Sequence, residues 1–198
     1  MTTASASKLR ERVRRAYSEA AERTGDDHPF PLGRECALSL GYPQDLLESL
    51  PSVAVDAFAG VSNVAIFAHI PPGSRVLDLG CGAGLDSLIA AQRTGPAGQV
   101  VGVDFSEAML ARARRAAKSM GGHRVHFLHG DAEDLELEDA SMDIVLVNGL
   151  FNLNPRRSEI FQELARVLRP GGALYAAELI LREPLPADVK NSEADWFA

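Results

Sequence analysis

Carboxylates and glycines stand together in one short stretch of this sequence, and both residue types build ligand sites. Asp78 lies two residues before Gly80, Gly82 and Gly84, whose spacing is G-x-G-x-G. Glycines permit a tight turn and let a ligand approach the backbone, while a helix that follows presents free N–H groups. A carboxylate beside such a turn suits a cationic ligand and suits a pyrophosphate badly. We therefore expect Asp78 either to contact a cationic ligand or to brace the turn.

Further polar residues follow the next apolar runs. Asp104 is placed to accept hydrogen bonds from both hydroxyls of a ribose. Asp131 is placed to accept from an adenine amino group, with the Ala132 N–H toward a ring nitrogen. Met109 either packs on the adenine or is an ordinary core methionine. Asn148 follows a fourth apolar run, so we expect it near the site where the chemistry occurs.

The elements that must position these residues alternate between apolar runs and helical patterns. The predicted strands are Arg75–Leu79, Gln99–Val103, Arg124–Leu128, Met142–Val147 and Ala173–Leu181. The predicted helices between them are Leu85–Arg93, Glu107–Ser119 and one that has Asn154 as N-cap, ends near Leu168 and is stopped by Pro170-Gly171-Gly172. This alternation predicts an α/β fold with a doubly wound, mostly parallel sheet, which binds ligands at the carboxyl ends of its strands.

The residues before the first strand have a different pattern. Helical periodicity is present in Ser7–Arg23, Gln44–Leu50 and Val53–His69, the last as one helix or a helix pair, whereas residues 24–34 are rich in glycine and proline. We expect a single domain, in which residues 1–72 form an N-terminal helical cap and residues 73–198 form the ligand-binding core.

Five sequence blocks in this order resemble the class I S-adenosylmethionine-dependent methyltransferases. They are LDLGCGAG at 77–84, VGVDFSEAML at 101–110, GDAEDL at 130–135, DIVLVNGLFNL at 143–153 and RVLRPGGALYAAE at 166–178. The resemblance implies a Rossmann-like methyltransferase fold and S-adenosylmethionine as cofactor. It places the methionine portion on Asp78, Gly80, Gly82 and Gly84, the ribose on Asp104, the adenine on Asp131 and Ala132, and the methyl-transfer side at Asn148. Cys81, Phe105 and Met109 complete the predicted cofactor set.

The N-terminal layout is similar to the arsenite methyltransferase subfamily, through LGYP at 40–43 and LLESLP at 46–51. Members of that subfamily bind trivalent arsenic through thiolates, because soft metalloids prefer sulfur ligands. At the first two cysteine positions this chain has Val61 and Gly149, and a third would fall near or beyond the chain end. Arsenic methylation is therefore disfavoured, and the sequence predicts no metal site.

The amino-acid composition indicates which classes of partner the protein is expected to bind. The net charge of −7 argues against a nucleic-acid surface and leaves a small-molecule acceptor as the expectation. Two isolated cysteines and the absence of an apolar span predict a cytoplasmic protein without membrane insertion. The resemblance also implies a helix and a two-strand hairpin after the fifth strand, but nothing in residues 182–198 supplies two more strands. We therefore expect a fragment, a homodimer that pairs its open edge, or a degenerate member.

The catalytic residues stay unknown from the sequence, since methyl transfer depends mainly on in-line positioning. Candidate general bases are Glu178, His69 and Tyr17, and the helix that carries Tyr17 could act as a lid. A non-catalytic S-adenosylmethionine-binding or scaffold protein is the main alternative. A nicotinamide-dependent reductase is less favoured, because no tyrosine has a lysine four residues later.

Overall fold

A computed structural model describes residues 3–23, 28, 30–121 and 124–180 of the chain. Its centre is a five-stranded parallel sheet in the order β3-β2-β1-β4-β5. The strands are β1 (Arg75–Leu79), β2 (Gln99–Asp104), β3 (Val125–His129), β4 (Met142–Asn148) and β5 (Leu168–Ala177). The helices that connect them are α6 (Leu85–Thr94), α7 (Glu107–Ser119) and α8 (Arg157–Val167). The doubly wound α/β fold predicted from the sequence is confirmed.

The strand order reverses between β1 and β4, and this reversal decides where a ligand can enter. Leu77 of β1 lies between Val101 of β2 and Val145 of β4, so the central strand has parallel neighbours on both sides. Chains leave β1 and β4 toward opposite faces of the sheet, which opens a crevice beyond their carboxyl ends. The residues that follow β1 and β4 therefore share one edge of the sheet.

Burial on both faces explains why the central strands are continuous apolar runs. One face packs on α6, α7 and the N-terminal helices, with Leu88, Ile89 and Leu110 in that core. The opposite face packs on α8 through Ile160 and Leu164. The bounds of β1 and α7 are those that the pattern predicts, because both elements carry uninterrupted periodicity.

The N-terminal cap consists of α1 (Thr3–Glu22), α2 (Gly33–Ser39), α3 (Gln44–Ser49), α4 (Ser52–Val55) and α5 (Val64–Phe67). One helix over Val53–His69 is wrong, whereas the alternative of a helix pair agrees with α4 and α5. Residues 58–62 separate the two helices, because the Val61 and Ser62 N–H groups donate to the Asn148 side chain rather than to helical carbonyls. The start of α2 at Gly33, inside the predicted loop 24–34, was not predicted.

The segment after β4 also differs from the prediction. A 3-10 turn covers Phe151–Leu153, and α8 begins at Arg157. Asn154 is not its N-cap, because the Asn154 Oδ1 accepts from the Arg156 N–H two residues later, at 2.8 Å. Pro170-Gly171-Gly172 does not separate α8 from the last strand but lies within β5, which begins at Leu168 with a register shift opposite β4. The predicted absence of a C-terminal hairpin concerns residues outside the described ranges.

Among the described residues, no helix has the length and apolar character that a membrane span requires.

Candidate functional site

A cavity of about 360 Å³ opens at the carboxyl ends of β1, β2 and β4, with α1 above it. Its volume lies within the range of about 300–1,000 Å³ that small-molecule sites occupy. The structure brings ten of the eleven predicted cofactor residues to its lining, namely Asp78, Gly80, Cys81, Gly82, Asp104, Phe105, Met109, Asp131, Ala132 and Asn148. Gly84 is not among the lining residues. A Cβ at Gly84 would lie 2.9 Å from the Phe127 ring, so this glycine serves the packing of α6 and α7 against the sheet.

The turn after β1 presents bare backbone to the cavity. The N–H groups of Gly80 and Cys81 both donate to the Val103 carbonyl, at 2.8 and 3.1 Å, which fixes the turn against β2. Gly80 and Gly82 have φ angles of 75° and 51°. A Cβ at Gly80 would collide with Leu150, whereas a Cβ at Gly82 would meet nothing within 4 Å. Gly82 is therefore the point at which a ligand can approach the main chain.

Asp104 ends β2 and holds the turn from the other side. Its Oδ2 accepts from the Gly82 N–H and its Oδ1 accepts from the Ser106 N–H, both at 2.8 Å. Burial raises the pKa of Asp104, and these two backbone hydrogen bonds partly offset that effect. Each carboxylate oxygen keeps a second lone pair, so Asp104 can still accept from ligand hydroxyls.

Asp78 lies under the turn and is 2% exposed. Its Oδ2 accepts a hydrogen bond of 2.5 Å from the Ser87 hydroxyl, so it braces the start of α6. Burial and the neighbouring Asp86 raise the pKa of Asp78, whereas the hydrogen bond from Ser87 lowers it. The hydrogen bonds to Asp78 come from Ser87 in α6 rather than from the N–H groups of the turn, and Asp78 also lines the cavity, so its contact with a ligand stays a prediction.

Asp86 lines the cavity and is hydrogen-bonded to Tyr42, and the sequence did not predict a role in the site for either residue. The Tyr42 hydroxyl donates to Asp86 Oδ1 at 2.5 Å, and the Asn148 amide donates to Asp86 Oδ2 at 2.9 Å. Asp86 is 5% exposed and Tyr42 is 2% exposed. An acidic residue in the first turn of α6 was the available signal, but carboxylates are common there for helix-dipole reasons alone.

The opposite end of the cavity carries the residues predicted to contact adenine. Met109 is 1% exposed and packs with Ala20, Ala57 and Ala83 at the edge of the cavity. Asp131 is exposed, and Ala132 is half-buried beside it. The adenine contacts of this group stay a prediction from the sequence.

Helix α1 brings Tyr17, one of the three candidate general bases, to the cavity. Tyr17 lines it and stacks on Phe30, with ring centroids 4.6 Å apart. Burial, followed by the charges of Asp104 and Glu178, raises the pKa of Tyr17, so its hydroxyl keeps its proton at neutral pH. Glu178 accepts from the Asn152 N–H at 3.1 Å, and His69 is exposed; neither belongs to the cavity lining.

The two positions at which the sequence lacks cysteines are neighbours in space. A Cβ at Gly149 would lie 3.0 Å from Val61 Cγ1. Cys81 lines the cavity with a thiol pKa raised mainly by burial, and Cys36 is half-buried in the cap. Within the part of the chain that the structure describes, no cluster of three or more histidine, cysteine or acidic side chains could hold a metal ion.

Residues 70–197 match the protein family described as "Methyltransferase domain". An arsenite methyltransferase of Halobacterium salinarum is 38% identical over 151 residues, which are 76% of this chain and 38% of that protein. A demethylmenaquinone methyltransferase of Bacillus cytotoxicus is 38% identical over 110 residues, which are 55% of this chain and 46% of that protein. The chain therefore spans less than half the length of these curated relatives.

The solved structures that resemble this one include methyltransferases. CrArsM, an arsenic (III) S-adenosylmethionine methyltransferase from Chlamydomonas reinhardtii, superposes with a TM-score of 0.63 at 30% identity, over 85% of this chain and 57% of that one. A S-adenosylmethionine-dependent methyltransferase from Aquifex aeolicus shares the fold, with a TM-score of 0.59 at 19% identity over 86% of this chain and 79% of that one.

Proposed function

The chain belongs to the methyltransferase domain family, and from that premise we propose that it binds S-adenosylmethionine in the cavity at the carboxyl edge of its sheet and methylates a small-molecule acceptor. The observation that carries this proposal is the bare turn at Gly82, held between the carboxylates of Asp78 and Asp104.

The residues around the cavity fit this cofactor. Gly82 leaves room for a ligand against the main chain, and Asp104 has free lone pairs toward the cavity. Asp78 and Asp86 have no cationic partner among their hydrogen bonds, so a bound ammonium or sulfonium would lower their raised pKa values and be attracted to the carboxylates that result. In this proposal Asp104 binds the ribose, Asp131 and Ala132 bind the adenine, and the Asp78 side of the turn binds the methionine portion.

When bound, the cofactor supplies the methyl group of its sulfonium, and transfer of that methyl group leaves a neutral thioether. The chain's own task is to hold the two reactants in line and to exclude water. Tyr17 keeps its proton at neutral pH, so it can donate a hydrogen bond but does not serve as a general base. Helix α1, which brings Tyr17 over the cavity, supplies the cover.

The acceptor that we propose is an organic small molecule rather than arsenite. Val61 and Gly149 are neighbours and contain no sulfur, so they cannot provide the thiolate pair that trivalent arsenic requires. The cavity also has apolar lining from Phe58, Leu150 and Leu153, which suits a carbon skeleton that carries the methylated atom.

The proposal is tested by a substitution that fills the space at Gly82. We expect Gly82→Ala to weaken S-adenosylhomocysteine binding by about tenfold or more in calorimetry, because a methyl group would occupy the ligand's approach. Gly121→Ala is the matched control, since Gly121 also has positive φ and open space but lies outside the cavity. Equal affinity in the two variants would contradict the proposed site.

Transfer itself is measured by S-adenosylhomocysteine production from S-adenosylmethionine, with arsenite, quinols, phenols and amines offered as acceptors. We expect turnover with an organic acceptor that is lost in Gly82→Ala and retained in Gly121→Ala. Cofactor binding without product for every acceptor class would favour the non-catalytic alternative.

A further inference from the structure

A buried chain of three polar side chains connects the cap to the sheet behind the cavity. Tyr42 belongs to the cap, Asp86 begins α6, and Asn148 ends β4. The two oxygens of Asp86 accept from the Tyr42 hydroxyl and from the Asn148 amide, respectively. Both donors are neutral, so the Asp86 carboxyl depends on hydrogen bonds for its charged state.

Apart from a long hydrogen bond of 3.5 Å to the Tyr42 hydroxyl, the remaining hydrogen bonds of Asn148 go to the segment Phe58–Ser62, which we call the wall segment. Asn148 Oδ1 accepts from the N–H groups of Val61 and Ser62, at 2.9 and 3.1 Å. Its amide nitrogen donates to the Ser62 carbonyl at 2.7 Å in addition to Asp86. These four shorter hydrogen bonds use the two acceptor and two donor positions of the amide, and three of them go to the wall segment.

The wall segment forms one side of the cavity. Phe58, Ala59 and Gly60 line it. A Cβ at Gly60 would lie 2.5 Å from the Asn148 amide nitrogen and 2.6 Å from Phe58 Cζ, so the backbone here is packed directly on Asn148. The Tyr42 ring also contacts the Phe58 ring edge to face, with centroids 5.1 Å apart. The Tyr42 hydroxyl also donates to the Ser62 carbonyl at 3.2 Å, so Tyr42 reaches the wall segment directly as well as through Asp86 and Phe58.

We propose that Tyr42 and Asp86 are positioning residues, which hold the wall segment against the cavity and thereby couple its order to cofactor binding. Asp86 acts through Asn148, and Tyr42 acts both through Asp86 and directly at Ser62. The proposal rests on the proposed function, since the ligand that benefits is the cofactor. The wall segment contains no regular helix or strand of its own, so the side-chain amide of Asn148 replaces the backbone partners that its N–H groups lack.

The protonation state of Asp86 makes the hydrogen bonds among these three side chains depend on pH. Burial raises the pKa of Asp86, whereas hydrogen bonds from Tyr42, Asn148 and the Ala65 N–H lower it. The acidic neighbours are Asp78 on β1 and, beyond it, Asp104 on β2. Arg93, on the same helix, directs its guanidinium to the carbonyls of Ala65, Ile66 and Ala68 instead. A protonated Asp86 is a weaker acceptor for Asn148, so the wall segment loosens as the pH falls through the pKa of Asp86.

Hydrogen exchange of the Val61 and Ser62 amides measures the coupling directly, because both amides donate to Asn148. In the full chain at about pH 7, we expect Tyr42→Phe to accelerate their exchange about tenfold and to weaken S-adenosylhomocysteine binding about three- to tenfold. Tyr175→Phe is the matched control, since Tyr175 lies on β5 and outside the cavity lining. In wild type, S-adenosylhomocysteine should slow exchange of the same two amides.

The pH dependence of amide protection distinguishes the proposed role of Tyr42 from a purely structural one. After correction for intrinsic exchange rates, protection of the two amides in wild type should fall as the pH decreases, and in Tyr42→Phe this fall should occur at higher pH, because a hydrogen bond that lowers the pKa of Asp86 is lost. Asp86→Asn should loosen the wall segment and remove the pH dependence, since an amide cannot accept from two donors through both of its terminal atoms.

Exchange and affinity in Tyr42→Phe equal to those of Tyr175→Phe would overturn the proposal. Acceleration that extends to α8, or a profile that is lowered without a shift in pH, would also overturn it, because both indicate general destabilisation. Failure of wild type to bind S-adenosylhomocysteine would remove the proposed function, whereas exchange in the free protein would still decide whether the three side chains hold the wall segment.

Discussion

In the proposed site, Asp104 has two roles: it fixes the backbone of the turn, and it accepts hydrogen bonds from the ligand. Its two oxygens fix the Gly82 and Ser106 N–H groups, and the lone pairs that are left point to the cavity. In the proposed complex the turn and the ribose share one carboxylate, which the backbone hydrogen bonds orient before any ligand arrives. This orientation reduces the cost of binding a ribose.

Asp104→Asn should weaken S-adenosylhomocysteine binding by about 1–3 kcal/mol, or roughly five- to 150-fold, because its amide nitrogen cannot accept from a ribose hydroxyl. Asp45→Asn, on the exposed surface of α3, is the control. The decisive measurement repeats the calorimetry with the 2′-deoxy analogue. Wild type should bind the analogue more weakly, whereas Asp104→Asn should discriminate little. Undiminished discrimination in the variant would contradict the ribose assignment.

Helix α7 connects the cofactor side of the sheet with the cap. Arg112 donates from Nη1 to the Ala21 carbonyl near the end of α1 at 2.8 Å, and from Nε to the Val53 carbonyl of α4 at 3.0 Å. Ser18 of α1 and Ser106, the N-cap of α7, share a hydrogen bond between their hydroxyls at 2.9 Å. A cation near the carbonyl end of a helix is also favoured by the helix dipole. These contacts hold α1 over the cavity.

Arg112→Met should lower the free energy of unfolding by about 1–2 kcal/mol and make α1 more accessible to proteases, since two helices lose a shared donor. S-adenosylhomocysteine binding should weaken with it, because Tyr17 is held less well over the cavity. Arg115→Met is the control, as Arg115 lies on the same helix and is exposed. Chemical denaturation and limited proteolysis provide the measurements, and indistinguishable results for the two variants would show that Arg112 does not hold α1.

At the scale of the whole molecule, the cavity brings three buried carboxyl groups together in a protein whose net charge is −7. Asp78, Asp86 and Asp104 are all buried, and burial raises the pKa of each. A raised pKa means that the folded state binds protons more tightly than the unfolded state. This contribution to stability is complete below the unfolded pKa and is lost as the pH rises through the folded pKa.

The ligand-free protein should therefore melt at progressively lower temperature as the pH rises from about 5 to about 8. Asp78→Asn should flatten this dependence, because it removes one of the buried acids and also the charge that acts on Asp86. Asp45→Asn should retain the wild-type dependence. Melting temperatures of the three proteins across this pH range provide the test, and the same slope in all of them would contradict the raised pKa of Asp78.

The sequence by itself determined the core: the periodicity of residues 75–119 predicted β1, α6, β2 and α7 closely, and the glycines and Asp78 predicted the turn. These features depend on neighbours along the chain, whose apolar spacing and backbone freedom are visible in the sequence. Only the tertiary structure decided the wall segment and its supports. Tyr42 and Asp86 are 44 residues apart, Asp86 and Asn148 are 62 apart, and Val61 and Asn148 are 87 apart. Hydrogen bonds over such separations end helices and orient carboxylates after the sheet has brought the partners together, and no local pattern records them.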